Sequence, residues 1–290
     1  RMEFVSIEGL RQDGRRASEH RFCLAKFENA IARTTCDGSA QFQLGQTFAI
    51  ASVFGPSQSQ SKAQEVYQEG LKVTCECSST SFASELAIAR VGNSSTNGST
   101  DKEANITKAR TQSLRSERRN KEIAKKFERI LTTAIDIRRF PRSELHVSCA
   151  CVNDDGSAIA CMFNAVVLAL VDAGVPTFDT YCAMCATRLD GEKLLDCNDL
   201  EERGRGVEVF CVSETRNVLE EENDDDLGNF RNVDDTSEKR IVYYEVTGGK
   251  CSAETIDGLI RLCVKGSEDV SKVMRVAMNK RFRRLQSTRY

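Results

Sequence analysis

A chain of 290 residues that is 40% apolar and 29% charged holds enough material for one large core or two small ones. A formal net charge of −2 and a pI of about 5.9 exclude the basic excess expected of a lone nucleic-acid binder. No stretch approaches the ~20 apolar residues of a membrane span. The start, RMEFVSIEGLRQDGRR, has no apolar core of signal-peptide length, so the cytoplasm or nucleus is the expected location.

In chain order, TTCDGSA (34–40) reads as a hairpin-type Asp-Gly turn. QTFAIASVFGP (46–56) reads as a buried strand closed by Gly-Pro, and LKVTCECSS (71–79) as another strand. Residues 92–113 are polar and read as a disordered surface insertion. Its N-x-S/T patterns at Asn93, Asn97 and Asn105 are read as chance in an Asn/Ser/Thr-rich segment rather than as glycan acceptors. A helix is expected over 117–137, because Ile123, Phe127, Ile130, Leu131 and Ala134 form one apolar stripe. Pro141 breaks it before a strand at 145–152. SAIACMFNAVVLALVDA (157–173) is apolar nearly all round, which predicts a helix buried on most sides, ended by Gly174 and Pro176. Residues 180–197 read as a hairpin around Asp190-Gly191, and 207–213 and 240–249 as two strands. Between those two, residues 220–239 read as an acidic loop and a second insertion. A long helix is expected over 253–288, with Ser252 as its N-cap. This order predicts an α+β or mixed α/β fold, one domain over 1–290 with insertions at 92–113 and 217–238.

The 13 cysteines are an odd set that stands mostly in apolar runs, unlike a secreted disulfide framework. Cys182 and Cys185 form a lone CxxC; with His20 and His146 the only histidines, no metal and no cofactor are expected. Cys75/Cys77 and Cys149/Cys151 are spaced to share one buried strand face, where free cysteine acts as a small hydrophobe. The charge is segregated, with basic runs at 110–129 and 275–289 and an acidic run at 220–226. The basic C-terminal helix reads as a solvated face or, as the lesser alternative, an RNA contact.

Several stretches, taken in order, resemble one family. GLRQDGRRASEHR (9–21) is similar to its opening, and CDGSAQFQLGQTFAIASVFGP (36–56) to its first hairpin with Gly-x-Thr. FPRSELHV (140–147) and GSAIACMFNAVVLALVDAGVP (156–176) resemble its helix-to-strand break and its buried helix. The family is the RNase PH fold, which comprises phosphorolytic exoribonucleases and the ring subunits of the RNA exosome. The retained Asp-Gly-Arg-Arg (13–16) points to the ring subunit descended from the archaeal catalytic one. The resemblance therefore implies an RNase PH-like fold, mixed sheets packed with helices.

Active members of that family use inorganic phosphate to cleave RNA from its 3′ end. Their pattern at the mouth of the buried helix is Gly-Ser/Thr-Arg, a hydroxyl, a helix N-terminus and a forked cation for the anion. Here Ala158 stands at the hydroxyl position and Ile159 at the arginine position. Losing such a charge-assisted contact costs about 1.5–3 kcal/mol per hydrogen bond. The acidic pair that holds a divalent cation in active members corresponds to Glu202 and Glu208, which read equally as solvated surface acids. Arg118 and Arg119 fall at a basic pair that faces phosphate or the RNA backbone, or else end a solvated helix. In SFASELAIAR (81–90), Leu86 and Ala87 stand where cations would be expected.

The resemblance thus implies a non-catalytic structural subunit of an exosome core ring, threading single-stranded RNA to an associated hydrolytic nuclease. Its implied partners are other RNase PH-fold ring subunits, S1/KH-type cap subunits and that nuclease. Its implied locations are the nucleus, including the nucleolus, and the cytoplasm, with no membrane. The alternative is an active phosphate-dependent 3′-to-5′ exoribonuclease, with phosphate on Arg118 or Arg119 and metal on Glu202 and Glu208. Another inactive paralogue of the same ring, and a binding module unrelated to RNA, are further alternatives.

Overall fold

The computed structural model describes residues 4–6, 8–27, 35–58, 70–79, 99–204, 206–215 and 240–287. Its first sheet runs in the order β1-β2-β3-β5-β4, and its second in the order β7-β6-β8-β9. The first comprises β1 (Cys23–Phe27), β2 (Gly38–Leu44), β3 (Thr47–Gln58), β4 (Lys72–Ser79) and β5 (Ser143–Asn153). Its pairings are antiparallel except that β4 runs parallel to β5. The second comprises β6 (Thr180–Leu189), β7 (Glu192–Leu195), β8 (Val207–Thr215) and β9 (Ile241–Thr247), all antiparallel. The helices are α1 (Ser99–Ala134), α2 (Ala158–Ala173), the one-turn α3 (Asp199–Glu202) and α4 (Ala253–Ser287).

The placement of α2 organises the rest. It lies against β2 and β3 on one side and β6 on the other, while α4 covers β6 and β8. Residues 181–187 of β6 are accordingly all buried, because each face of the strand meets a helix. On α2 itself, Ala158 and Ala160 through Leu170 are buried, as its uniformly apolar sequence predicts. The stripe Ile123, Phe127, Ile130, Leu131 and Ala134 on α1 is buried as expected, and Phe127 meets Phe163 of α2 edge-on at 5.4 Å. Asn164 is the polar exception on α2. Its side chain donates to the Ala183 carbonyl at 3.0 Å and accepts from the Ala183 N–H at 2.8 Å. That peptide group lies before Ala186, where β7 begins to pair with β6, so the amide stands in for a missing strand neighbour.

Two expectations need correction. Residues 99–113, read as part of a disordered insertion, belong to α1, which begins at Ser99 and ends at Ala134 rather than 137. The polar composition hid a helix that lacks an apolar stripe in its first turns. Residues 92–98 and the second expected insertion, 217–238, lie outside the described residues, as does 81–90. Asp37-Gly38 is not a hairpin turn: the turn from β2 to β3 falls at Gly45-Gln46, and Gly38 opens β2. Gly38 is required for another reason. A Cβ there would collide with the backbone of Ala169 and Ala173, where β2 crosses α2. The hairpin at Asp190-Gly191 forms as read, with both residues at positive φ (49° and 94°).

The cysteines behave as the composition suggests. None of the described ones is in a disulfide. Cys77 lies opposite Cys149 in the parallel pair, and Cys75, Cys149 and Cys151 are buried. Cys182 and Cys185 sit three apart on β6, so their side chains leave opposite faces of the strand. Among the described residues, no helix is long and apolar enough to cross a membrane.

Gly38→Val should destabilise the chain by about 2 kcal/mol or more through the β2–α2 crossing. Urea unfolding would show the loss, and an unchanged midpoint would contradict the close approach.

Candidate functional site

The entrance of α2 is fixed by a knot of buried charge. Arg21 Nε and Nη2 donate to the two carboxylate oxygens of Asp196 at 3.0 and 2.7 Å, and the Arg21 backbone N–H adds a third bond at 2.8 Å. The remaining guanidinium protons reach the carbonyls of Asp155 (2.6 Å) and Gly156 (2.9 Å). Asp196 is fully buried. Thr47, the threonine of the Gly-x-Thr stretch, donates to the Gly156 carbonyl at 2.7 Å and accepts from the Asp155 N–H at 3.1 Å. Gly156 has φ +88° and leaves no room for a Cβ against Cys197 and Asn198. The loop before α2 is therefore held by β3, by the N-terminal segment and by the turn after β7.

A second buried pair secures the N-terminal segment. Arg11 forks onto Glu201, with Nε to Oε1 at 2.8 Å and Nη2 to Oε2, and also donates to the Leu195 carbonyl at 2.6 Å. Glu201 closes a capping box with Asn198 at the start of α3. This fixes α3, and with it the neighbouring Glu202.

Glu202 then occupies the α2 entrance. Its Oε1 accepts the backbone N–H of Ser157 at 2.5 Å. Ser157 is the N-cap of α2, in a left-handed conformation (φ 54°), with its Oγ donating to the Cys197 carbonyl at 3.2 Å rather than capping the helix. An N–H with no partner within the helix and the helix dipole favour an anion here, and the chain supplies its own acceptor. Burial first, then repulsion from Glu208, pushes the Glu202 carboxyl up to about 7, against the Ser157 bond and the Arg119 charge. Glu208 on β8 is also raised by burial, against the pull of Arg119 and hydrogen bonds to Cys185 and Thr247.

The structure thus brings Glu202, Glu208 and Arg119 into one electrostatic neighbourhood beside Ala158 and Ile159. Ala158 is buried, and Ile159 packs in part against the core. Neither offers a donor beyond its backbone. Arg118 is exposed and makes no ion pair among the described residues. Both glutamates are half-buried rather than freely solvated. Sequence reasoning missed Arg21, Asp196, Arg11 and Glu201. Their partners lie up to 190 residues away, and only their presence in otherwise apolar or turn-rich surroundings marked them.

A carboxyl that titrates near neutrality suits general acid–base work, but one oxygen of Glu202 is already engaged. A divalent cation would need free carboxylate oxygens, and one of those of Glu202 is held by the Ser157 N–H. Among the described residues, no three His, Cys, Asp or Glu converge to hold a metal. The residues present fit a cation poorly.

A chain whose strands, buried helix and entrance loop are arranged in this way falls into a known class. Residues 27–176 match the RNase_PH family, described as the 3′ exoribonuclease family, domain 1, and the chain belongs to that family. Within it, the chain is 30% identical over 208 residues to the exosome complex component RRP41 homolog of Arabidopsis thaliana, covering 72% of this chain and 75% of that one. It is 29% identical over 208 residues to human exosome complex component RRP41, covering 72% and 74%. With exosome complex component ski6 of Schizosaccharomyces pombe it shares 27% identity over 281 residues, 95% and 93% of the two chains. In fold it is similar to the crystal structure of rice Rrp46, with a TM-score of 0.63 at 21% identity over 92% of this chain and all of that one. It is also similar in fold to a chain of an archaeal exosome core, with a TM-score of 0.62 at 14% identity over 92% of each chain.

Two measurements test this geometry. Arg21→Met strands a buried Asp196 and should cost about 3–5 kcal/mol in urea unfolding, part of which Asp196→Asn in the same chain recovers. For Glu202, the folded-state value lies above the ordinary 4.5, so stability falls as pH rises from about 4.5 to about 7 and is level above that. Glu202→Gln keeps an acceptor for Ser157 but loses this dependence. It should gain on the order of 1–3 kcal/mol over the unsubstituted chain at pH 8 and nothing at pH 4.

Proposed function

We propose that this chain is a non-catalytic ring subunit of an RNA exosome-type assembly. One observation carries the reading. The amide that opens α2, where a phosphate would gain most from the helix, is occupied by the Glu202 carboxylate. Beside it stand Ala158 and Ile159, whose own side chains bring neither a hydroxyl nor a guanidinium to draw an anion in. An incoming phosphate would have to displace a tethered carboxylate and then face Glu208 nearby. Similarity to exosome components across most of the chain supports the assembly context.

In this reading the chain is a single RNase PH-like domain that supports a channel for single-stranded RNA. Arg119 and Arg118, exposed on α1, contact phosphates of the backbone without reading bases. Its partners are other RNase PH-fold subunits, S1/KH-type cap subunits and a hydrolytic nuclease, in the nucleus, nucleolus and cytoplasm. The competing reading makes the chain an active phosphate-dependent 3′-to-5′ exoribonuclease, and a direct assay separates the two. The chain, assembled with its ring partner, is incubated with inorganic phosphate, magnesium and a 3′-ended oligoribonucleotide. No release of nucleoside diphosphates is expected. Release that is lost on Glu202→Gln or Arg119→Ala would establish the catalytic reading instead.

A further inference from the structure

A cleft of about 750 Å3 lies between the N-terminal segment, β7 and α4, apart from the α2 entrance. Its charge is one-sided. Arg16 comes from the N-terminal segment, Lys193 from β7, and Arg261 and Lys265 from successive turns of α4, against the single carboxylate of Glu8. All four cations are exposed. Arg261 pairs with Asp257 at 3.0 Å on its own helix, while Arg16, Lys193 and Lys265 make no ion pair among the described residues. Gathering like charges from three separate elements is unfavourable unless something anionic offsets it.

The walls are prearranged. Leu10 and Arg16 face each other in a small antiparallel bridge, and the segment they belong to is locked by Arg11 on Glu201. Gly258 on α4 lacks the Cβ that would collide with the Lys193 ammonium, so that charge lies on the helix surface. Such fixed walls lower the ordering cost of binding. The floor is aliphatic. Leu10, which is 38% exposed, and Leu262 line it, and no aromatic side chain does among the described residues.

Charge and floor together select the ligand. Single-stranded nucleic acid sites pair a cationic groove with aromatic platforms on which bases stack, and this cleft has none. A polyphosphate backbone would leave Leu10 and Leu262 unused. We infer that this cleft is a docking site for an acidic peptide segment of a partner protein, one that alternates carboxylates with an aliphatic anchor. The carboxylates meet Arg16, Lys193 and Lys265, and the anchor covers Leu10 and Leu262. The inference does not depend on the catalytic standing of the α2 entrance.

The test uses the full chain and a fluorescein-labelled peptide of sequence EELDELEE, followed by fluorescence anisotropy. The expected result is binding that weakens with added salt and falls ~tenfold or more in the Lys193→Glu/Lys265→Glu double variant. A glycine analogue, EEGDEGEE, should bind measurably less tightly, and Lys125→Glu on α1 should bind like the unsubstituted chain. Should the double variant fail to fold by circular dichroism, Lys265→Glu alone, at its exposed position, makes the same comparison. Three results would overturn the inference. They are no binding up to about 1 mM peptide, binding indifferent to these charge reversals, and equal binding of both peptides together with an oligouridylate that shows the same sensitivity. The last would mark a general polyanion surface.

Discussion

The bidentate pair of Arg21 with Asp196 is the constraint on which the rest of the site depends. It is buried, it is met by further bonds to the Asp155 and Gly156 carbonyls, and it joins segments 175 residues apart. A buried ion pair adds little stability over apolar packing, but once present it cannot lose one partner cheaply. Its value here is geometric. It sets where the loop before α2 runs, hence where the Ser157 N–H points, and hence what can approach it.

With that amide fixed, the balance of charge at the α2 entrance follows. A helix N-terminus attracts an anion, and α3, held by its capping box and by Arg11, presents Glu202 at the required distance. The result is a filled position whose occupant is covalently part of the chain, and whose own ionisation is opposed by burial and by Glu208. In the proposed reading free phosphate competes poorly with this tethered group, because the tether has removed most of the entropy of association. In that reading Ala158 and Ile159 act in the same direction, since neither side chain offers a donor to an anion.

Much of the fold was legible because its signals are local. The apolar circumference of α2, the stripe on α1 and the Asp190-Gly191 turn each carry their meaning within a few residues. The first turns of α1 did not read as helix, because no apolar face marks them. Asp37-Gly38 misled because glycine has two uses, positive φ and close approach, and the sequence does not say which applies. At the site, the family resemblance located Ala158, Ile159, Glu202 and Glu208. That Glu202 turns inward onto Ser157 depends on Arg11 and Glu201, which no local pattern connects.

The buried thiols of the first sheet and of α2 have one more implication. Cys75, Cys149 and Cys161 lie in the core, and burial holds each of them in the protonated, unreactive form. A thiol of this kind reacts with an alkylating reagent only when the surrounding structure opens. The molecule therefore carries internal clocks between its sheet and its central helix, and the rate at which each sulfur is labelled would map how often that part of the core breathes.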